Sequence, residues 1–273
     1  MKLAYQISTW DVAPDCNITS WHGALDDCFR RLWKCGYDGA ELMVCDPASI
    51  DAEELLRLME TYGLEVPMVC TGEIGGMGLT FSDPDDAIRA EALSRAEKAV
   101  DLAAAIGAQV NIGRIRGQRV PGAEARSRRR SMEALRELCG YAWKCGVRVA
   151  LEPINSIVTN FINTTLEGLQ AVEELNSPAA CLMLDVQHMY LDDADIFSSI
   201  RDAQEHFSYV HVMDSNRLYP GTGNRLLDLP AFVGALKESG YDGYLGVEIF
   251  QRPNQEVALE QSAYYFKKLL GQP

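Results

Sequence analysis

The feature that most constrains this chain is a joint that recurs along it, a glycine that closes a helix-like run and leads straight into an apolar one. It occurs at Gly36 and Tyr37, Gly63 and Leu64, Gly107 and Ala108, Gly146 and Val147, and Gly240 and Tyr241. Glycine ends a helix because it adopts the left-handed conformation without steric cost. Eight short apolar or β-branched runs read as strands: "LAYQIST", "GAELMV", "EVPMVCTG", "AQVNIGRI", "VRVALEPI", "CLMLDVQHM", "YVHVMD" and "YLGVEIF". They alternate with stretches of helical period such as "DAEELLRLMETYG" and "SMEALRELCGYAWKCG". A strand-to-strand spacing of roughly 25 to 45 residues suits a strand with its crossover helix, and hence parallel pairing. Runs apolar on both faces, such as "CLML" and "VRVAL", fit strands covered by helices. Eight such units predict a single-domain (β/α)8 TIM barrel over residues 1–273. No GxGxxG follows the first strand, which argues against a doubly wound nucleotide-binding sheet.

Charge narrows the partners. A formal net charge of −14 repels phosphate backbones and anionic lipid. The one basic run, "RSRRRS" from Arg126 to Ser131, heads a Glu-rich helical stretch and reads as a solvated helix face. Arg114, Arg116 and Arg119 follow the fourth strand and are expected at a pocket mouth. The start "MKLAYQISTW" has no signal-peptide pattern and no apolar run is long enough to span a bilayer, so a cytoplasmic protein is expected. The eight cysteines, Cys16 among them, form no CxxC pair and read as small buried hydrophobes in a reducing compartment.

In a barrel of this kind chemistry sits at the C-terminal ends of the strands. The polar residues there are Glu152 in "LEPIN", Asp185 and His188 in "LDVQHM", His211, Asp214 and Arg217 in "HVMDSNRLYPGTG", and Glu248 in "GVEIF". Desolvating an unpaired carboxylate costs several kcal/mol unless something compensates. Singly, each acid reads as a helix cap or ion-pair partner and each histidine as a satisfied core residue. Together, on four successive strands, Glu152, Asp185, His211 and Glu248 form an oxygen and nitrogen donor set suited to Mn²⁺, Mg²⁺, Co²⁺ or Zn²⁺. Glu41, Glu73, Trp10 and Trp21 are expected as pocket walls, with exposure on a glycine-rich lid the competing reading for Glu73.

In order and spacing, "ALEPIN", "LDVQHM", "HVMDSNRLYPGTG" and "GYDGYLGVEIF" resemble the xylose isomerase-like sugar isomerase/epimerase superfamily. They are most similar to its ketose 3-epimerase branch, which includes D-tagatose and D-psicose 3-epimerases. The likeness extends upstream through "CTGEIGG", "LTFSDPDDAIRAEAL" and "LAAAIGA". The resemblance implies one divalent metal ion, Mn²⁺ foremost with Mg²⁺ or Co²⁺ as alternatives, held by Glu152, Asp185, His211 and Glu248. It also implies Glu152 and Glu248 as the acid and base that invert a carbon through a cis-enediolate, and His188 and Arg217 as contacts to oxygens of a sugar substrate. A homo-oligomer, dimer or tetramer, is a family-level expectation.

Aldose-ketose isomerases, hydroxypyruvate isomerases and inosose or dehydroshikimate dehydratases are the alternatives. An endonuclease IV-like nuclease is more remote, since its zinc cluster uses more histidines than the four present here. Many keto-sugar epimerases of this group read "LEPxNRxET" after the fifth strand, where this chain has Ser156 and Val158, and Asn224 replaces the usual histidine after "PGTG". A different pattern of substrate oxygens is therefore expected near the reacting carbons.

Overall fold

Side chains alternate faces along a strand, so a barrel strand needs apolar residues outward, under the helices, and a graded series inward. The computed structural model describes residues 1–15, 18–223 and 226–272, so the expectations placed on Cys16 and Asn224 lie outside the described residues. Eight parallel strands pair in chain order and close on themselves: β1 (Lys2–Ser8), β2 (Gly39–Met43), β3 (Glu65–Cys70), β4 (Gln109–Ile112), β5 (Val149–Leu151), β6 (Ala180–Asp185), β7 (Phe207–Val212) and β8 (Tyr244–Val247). The expected (β/α)8 barrel is what the chain forms. Gly36, Gly63 and Gly107 close helices Leu25–Cys35, Ala52–Tyr62 and Asp86–Ile106 with φ of +75°, +63° and +76°.

The sixth strand is shorter than its apolar run for a reason that bears on the site. "CLMLDVQHM" reads as continuous, but β6 stops at Asp185 and Val186–Asp192 is helix. Asp185 Oδ1 accepts from the N–H groups of Gln187 (2.8 Å) and His188 (3.0 Å), capping that helix. Periodicity cannot divide a short run apolar throughout, so His188 lies in a helix's first turn rather than on a strand.

Ala4, Met68, Ala150, Met183, Tyr209 and Tyr244 fill the inside of the barrel as a packed cluster. The outward residues, Leu3, Val69, Val110, Leu184 and Val210 among them, join the helices in the main core. Farther along the strands the inward residues turn polar while staying buried: Gln6, Glu41, Asn111, Glu152, Asp185 and His211. Gly246 makes this change possible, because a Cβ there would stand 2.6 Å from the Tyr209 hydroxyl and 2.9 Å from Glu41 Oε2.

The basic run lies in helix Glu124–Lys144, where Arg128 pairs with Glu174 and Arg129 with Glu133, as a solvated face would. Among the described residues the seven cysteines are free, and no helix is long and apolar enough to cross a membrane.

Candidate active site

A cavity of about 390 Å³ opens at the C-terminal end of the barrel. Glu152 and Glu248, each one residue beyond the end of its strand, line it, as do His188 and Arg217. Asp185 and His211 lie beneath them, 1% exposed each. His211 Nδ1 stands 3.5 Å from Glu152 Oε1, 3.4 Å from Glu248 Oε2 and 3.9 Å from Asp185 Oδ2. The four residues named as ligands from sequence thus converge on one point.

Among the described residues, two atoms at that point lack a hydrogen-bond partner. Asp185 Oδ2 and His211 Nδ1 are buried without a hydrogen bond. Such orphans cost about 1–3 kcal/mol each unless a ligand satisfies them. Donors sharing a divalent ion at about 2.1 Å lie about 3 to 4 Å from one another. The side chains here have that spacing, so the donor set fits a divalent ion. Two overlapping groups bring one donor atom from each residue within 4.8 Å of one another, Asp185 with His211 and Glu248, and Asp185 with Glu152 and His188.

Three of the four side chains are held from outside the group. His211 Nε2 donates to Glu41, at 3.0 and 2.9 Å from its two oxygens. Glu41 Oε1 also accepts from Gln6 Nε2 at 2.9 Å. The Thr19 hydroxyl lies 2.9 Å from Gln6 Oε1 and 3.1 Å from Glu248 Oε1. Asn111 Nδ2 donates to Glu152 Oε2 at 3.0 Å. Arg217 Nη2 pairs with Glu248 Oε2, and Nη1 donates to Gln187 Oε1 at 2.8 Å.

The charges reinforce one another. Burial acts to lower the His211 pKa, but the carboxylates of Glu41 and Glu248 override it and hold it well above the usual histidine value. Burial pushes the Glu152 carboxyl up, yet the His211 imidazole beside it reverses this and brings it down to about 2. Glu248 is likewise lowered against its burial, by Arg217 and then His211. Both glutamates are therefore carboxylates in the ionised form at neutral pH.

Several residues stand elsewhere than expected. Glu41 is not a pocket wall after β2; it lies within that strand, fully buried behind His211. Trp10 is 70% exposed and outside the cavity lining, and Trp21 is buried in the core. Both belong to the segment after β1, where no periodicity sets side-chain direction. Glu73, by contrast, stands where the pocket-wall reading put it: it lines the cavity in helix Gly72–Gly76 and pairs with Arg114 at 2.5 Å.

Of the three arginines after β4 only Arg114 reaches the cavity. Arg116 is fully buried and donates to main-chain carbonyls of Gly113 (2.8 Å), Phe161 (2.9 and 3.1 Å) and Ile162 (2.9 Å). It pins the segment after β5, where Ile162 has a left-handed φ of +59°. Arg119 lies over the Phe161 ring. Asp214 supports its own loop, accepting from the N–H groups of Ser215, Gly221 and Gly223.

Sequence reasoning missed Gln6, Thr19, Asn111 and Asn155. A polar residue inside an apolar run, as in "AQVNIGRI", was the available signal. At the two positions where the sequence departs from the "LEPxNRxET" pattern, Ser156 turns to Asp192, its N–H and hydroxyl 2.5 and 2.7 Å from that carboxylate, whereas Val158 lines the cavity.

Comparison with known proteins agrees with this geometry. Residues 29–269 match the model of the xylose isomerase-like TIM barrel family. The chain is 34% identical to an L-ribulose 3-epimerase of Methylomonas sp. over 239 residues, covering 86% of this chain and 82% of that protein. It is 31% identical to a ketose 3-epimerase of Arthrobacter globiformis, with the same coverage. The crystal structure of D-allulose 3-epimerase from Methylomonas sp. in complex with D-allulose superposes with a TM-score of 0.80 at 27% identity, covering 98% of this chain and 97% of that one.

Proposed function

Because the chain belongs to the xylose isomerase-like TIM barrel family, we propose that it is a divalent-metal-dependent ketose 3-epimerase, with Glu152 and Glu248 as its acid and base. The observation that carries the reading is the convergence of these two carboxylates on the orphaned Asp185 Oδ2 and His211 Nδ1 at the cavity floor. Glu152, Asp185, His211 and Glu248 would hold the ion, with Mn²⁺ the first candidate and Mg²⁺ or Co²⁺ the alternatives. When bound, the ion supplies Lewis-acid polarisation of the substrate carbonyl.

The rest of the chemistry falls to the protein. A proton next to a ketone is far too weak an acid for an unaided carboxylate, so the negative charge that develops on the oxygen has to be stabilised. Arg217 is suited to this: burial acts to lower its pKa, but Glu248 and Asp185 raise it above even the usual arginine value, so it stays cationic. One glutamate takes the proton from C3 to give a cis-enediolate, and the other returns a proton to the opposite face. Two carboxylates are needed because a single base would return the proton to the face it came from. They come from strands three places apart around the barrel, β5 and β8.

Val158 on the cavity wall offers no hydrogen bond where related epimerases place a glutamate, so free ketoses differing in their oxygens near C3 are the substrates to screen. The deciding experiment incubates metal-supplemented protein with free ketohexoses and ketopentoses in D₂O and follows the sugar by NMR. Deuterium at C3 with appearance of the C3 epimer is expected. Label at C1 or C2 would show an aldose-ketose isomerase instead, and a new enone absorbance would show a dehydratase.

A further inference from the structure

The two donor groups at the cavity floor differ in their histidine, His211 in one and His188 in the other. Taken as side-chain types they are equivalent, and the site could hold two ions bridged by Asp185. Hydrogen bonding makes them unequal. A neutral imidazole carries one proton, and the nitrogen that carries it cannot ligate a metal.

His211 donates through Nε2 to Glu41, a residue that as a carboxylate offers only acceptors. Its lone pair in the neutral ring is therefore on Nδ1, the orphaned atom facing Glu152, Glu248 and Asp185. His188 is held from the other nitrogen, its Nδ1 lying 2.7 Å from Asn155 Nδ2. The direction of that bond follows from the far end of the asparagine. Asn155 Oδ1 accepts from the Ile157 N–H at 3.1 Å, so turning the amide over would set its NH₂ against another donor. The surrounding turn is fixed as well, by the Val158 and Thr159 N–H groups on the Asn155 carbonyl and by Ser156 on Asp192. Asn155 thus donates, His188 Nδ1 accepts, and the His188 proton is on Nε2.

We propose that Glu41 and Asn155 are positioning residues that set the two histidines in opposite tautomers. His211 then presents Nδ1 as a metal ligand, His188 presents Nε2–H as a hydrogen-bond donor, and the site takes one ion rather than two. The His188 Nε2–H points to the floor, 4.0 Å from Glu152 Oε1 and 3.8 Å from Asp185 Oδ2. There it meets a substrate oxygen carrying developing negative charge, which a second ion would otherwise occupy. The assignment rests on the metal-dependent reading of the site and adds the basis on which the protein keeps one histidine away from the metal.

The test uses the full chain with ¹⁵N-labelled imidazoles, loaded with diamagnetic Zn²⁺. Long-range ¹H–¹⁵N correlation is expected to show His188 protonated on Nε2 only, and His211 protonated on Nε2 with Nδ1 shifted by the metal. Equilibrium dialysis is expected to give one Zn²⁺ per chain. Asn155→Asp replaces the donor by an acceptor and draws the His188 proton to Nδ1. It is expected to bind a second Zn²⁺ and to lose about tenfold or more in kcat with a smaller change in KM. Glu41→Gln is expected to weaken Zn²⁺ binding about 10- to 100-fold while keeping a stoichiometry of one. A His188 proton on Nδ1, or two ions per wild-type chain, overturns this assignment and leaves the epimerase reading standing. A wild-type chain that binds no divalent ion sinks both.

Discussion

The two halves of the barrel do different work at the same floor. Strands β5 to β8 end in the groups that would meet metal and substrate: Glu152, Asp185, His211 and Glu248. Strands β1 to β4 place no such group there. Their inward polar residues, Gln6, Glu41 and Asn111, each touch a residue of the other half or a residue that does, and Thr19 after β1 reaches Glu248. In the proposed mechanism one half supplies the reacting groups and the other holds them in place. Damage to the β5–β8 groups should therefore abolish chemistry in a folded protein, whereas damage to the β1–β4 supports should weaken it by degrees.

The largest effects test the chemical half. Glu248→Gln is expected to lower kcat about 10³-fold with an unchanged circular dichroism spectrum; retention of more than half the activity would remove it from the acid-base pair. Stripping with EDTA is expected to abolish turnover, and Mn²⁺ to restore it; full rates with metal shown to be absent would end the metal reading. The supporting half should give smaller losses. Asn111→Leu leaves Glu152 Oε2 without its amide donor and is expected to cost about tenfold in kcat, measured on whichever ketose turns over. A loss equal to that of Glu248→Gln would erase the distinction between the halves.

Arg116 belongs to the support and touches no reacting group. Arg116→Met strands buried carbonyls and is expected to cost at least about 3 kcal/mol, read as a fall in denaturation midpoint. The smallest effect concerns pH in the metal-free protein. Glu152 has a folded pKa below the ordinary 4.5, so its stabilisation is complete above that pH and is lost as pH falls. The folded pKa of His211 is above the ordinary 6.5, so its stabilisation is complete below that pH and is lost as pH rises. The melting temperature of the metal-free protein should peak between these values. Saturating metal, which replaces a proton on His211, should flatten the alkaline side; an unchanged profile would detach His211 from the metal.

Much of the chemical half was legible in the sequence because a carboxylate or histidine ending an apolar strand has few inexpensive explanations. Four in succession, at spacings matching one barrel, leave a shared centre as the economical one. The supporting half was harder to read. Glu41 in "GAELMV" and Asn111 in "AQVNIGRI" look like isolated polar residues, and only strand closure brings Glu41 against His211, 170 positions along the chain. Local chemistry hid other details. Asp185 uses its oxygens differently, capping a helix with Oδ1 while the unbonded Oδ2 faces the floor, and the cap ended a strand that periodicity had prolonged. Trp10 shows the reverse error, a conspicuous residue near the site that the loop turns into solvent.

The grip of Arg116 on the segment after β5 has a consequence for how this enzyme could be changed. Arg116 reads carbonyls, which every amino acid carries, so it is indifferent to which side chains the segment displays. Ile157 and Val158 face the cavity from that segment, 81% and 46% exposed. The protein thus has a cassette whose anchor and recognition surface are encoded separately. Its cavity-facing positions can be rewritten to suit another sugar without the barrel having to be redesigned around them.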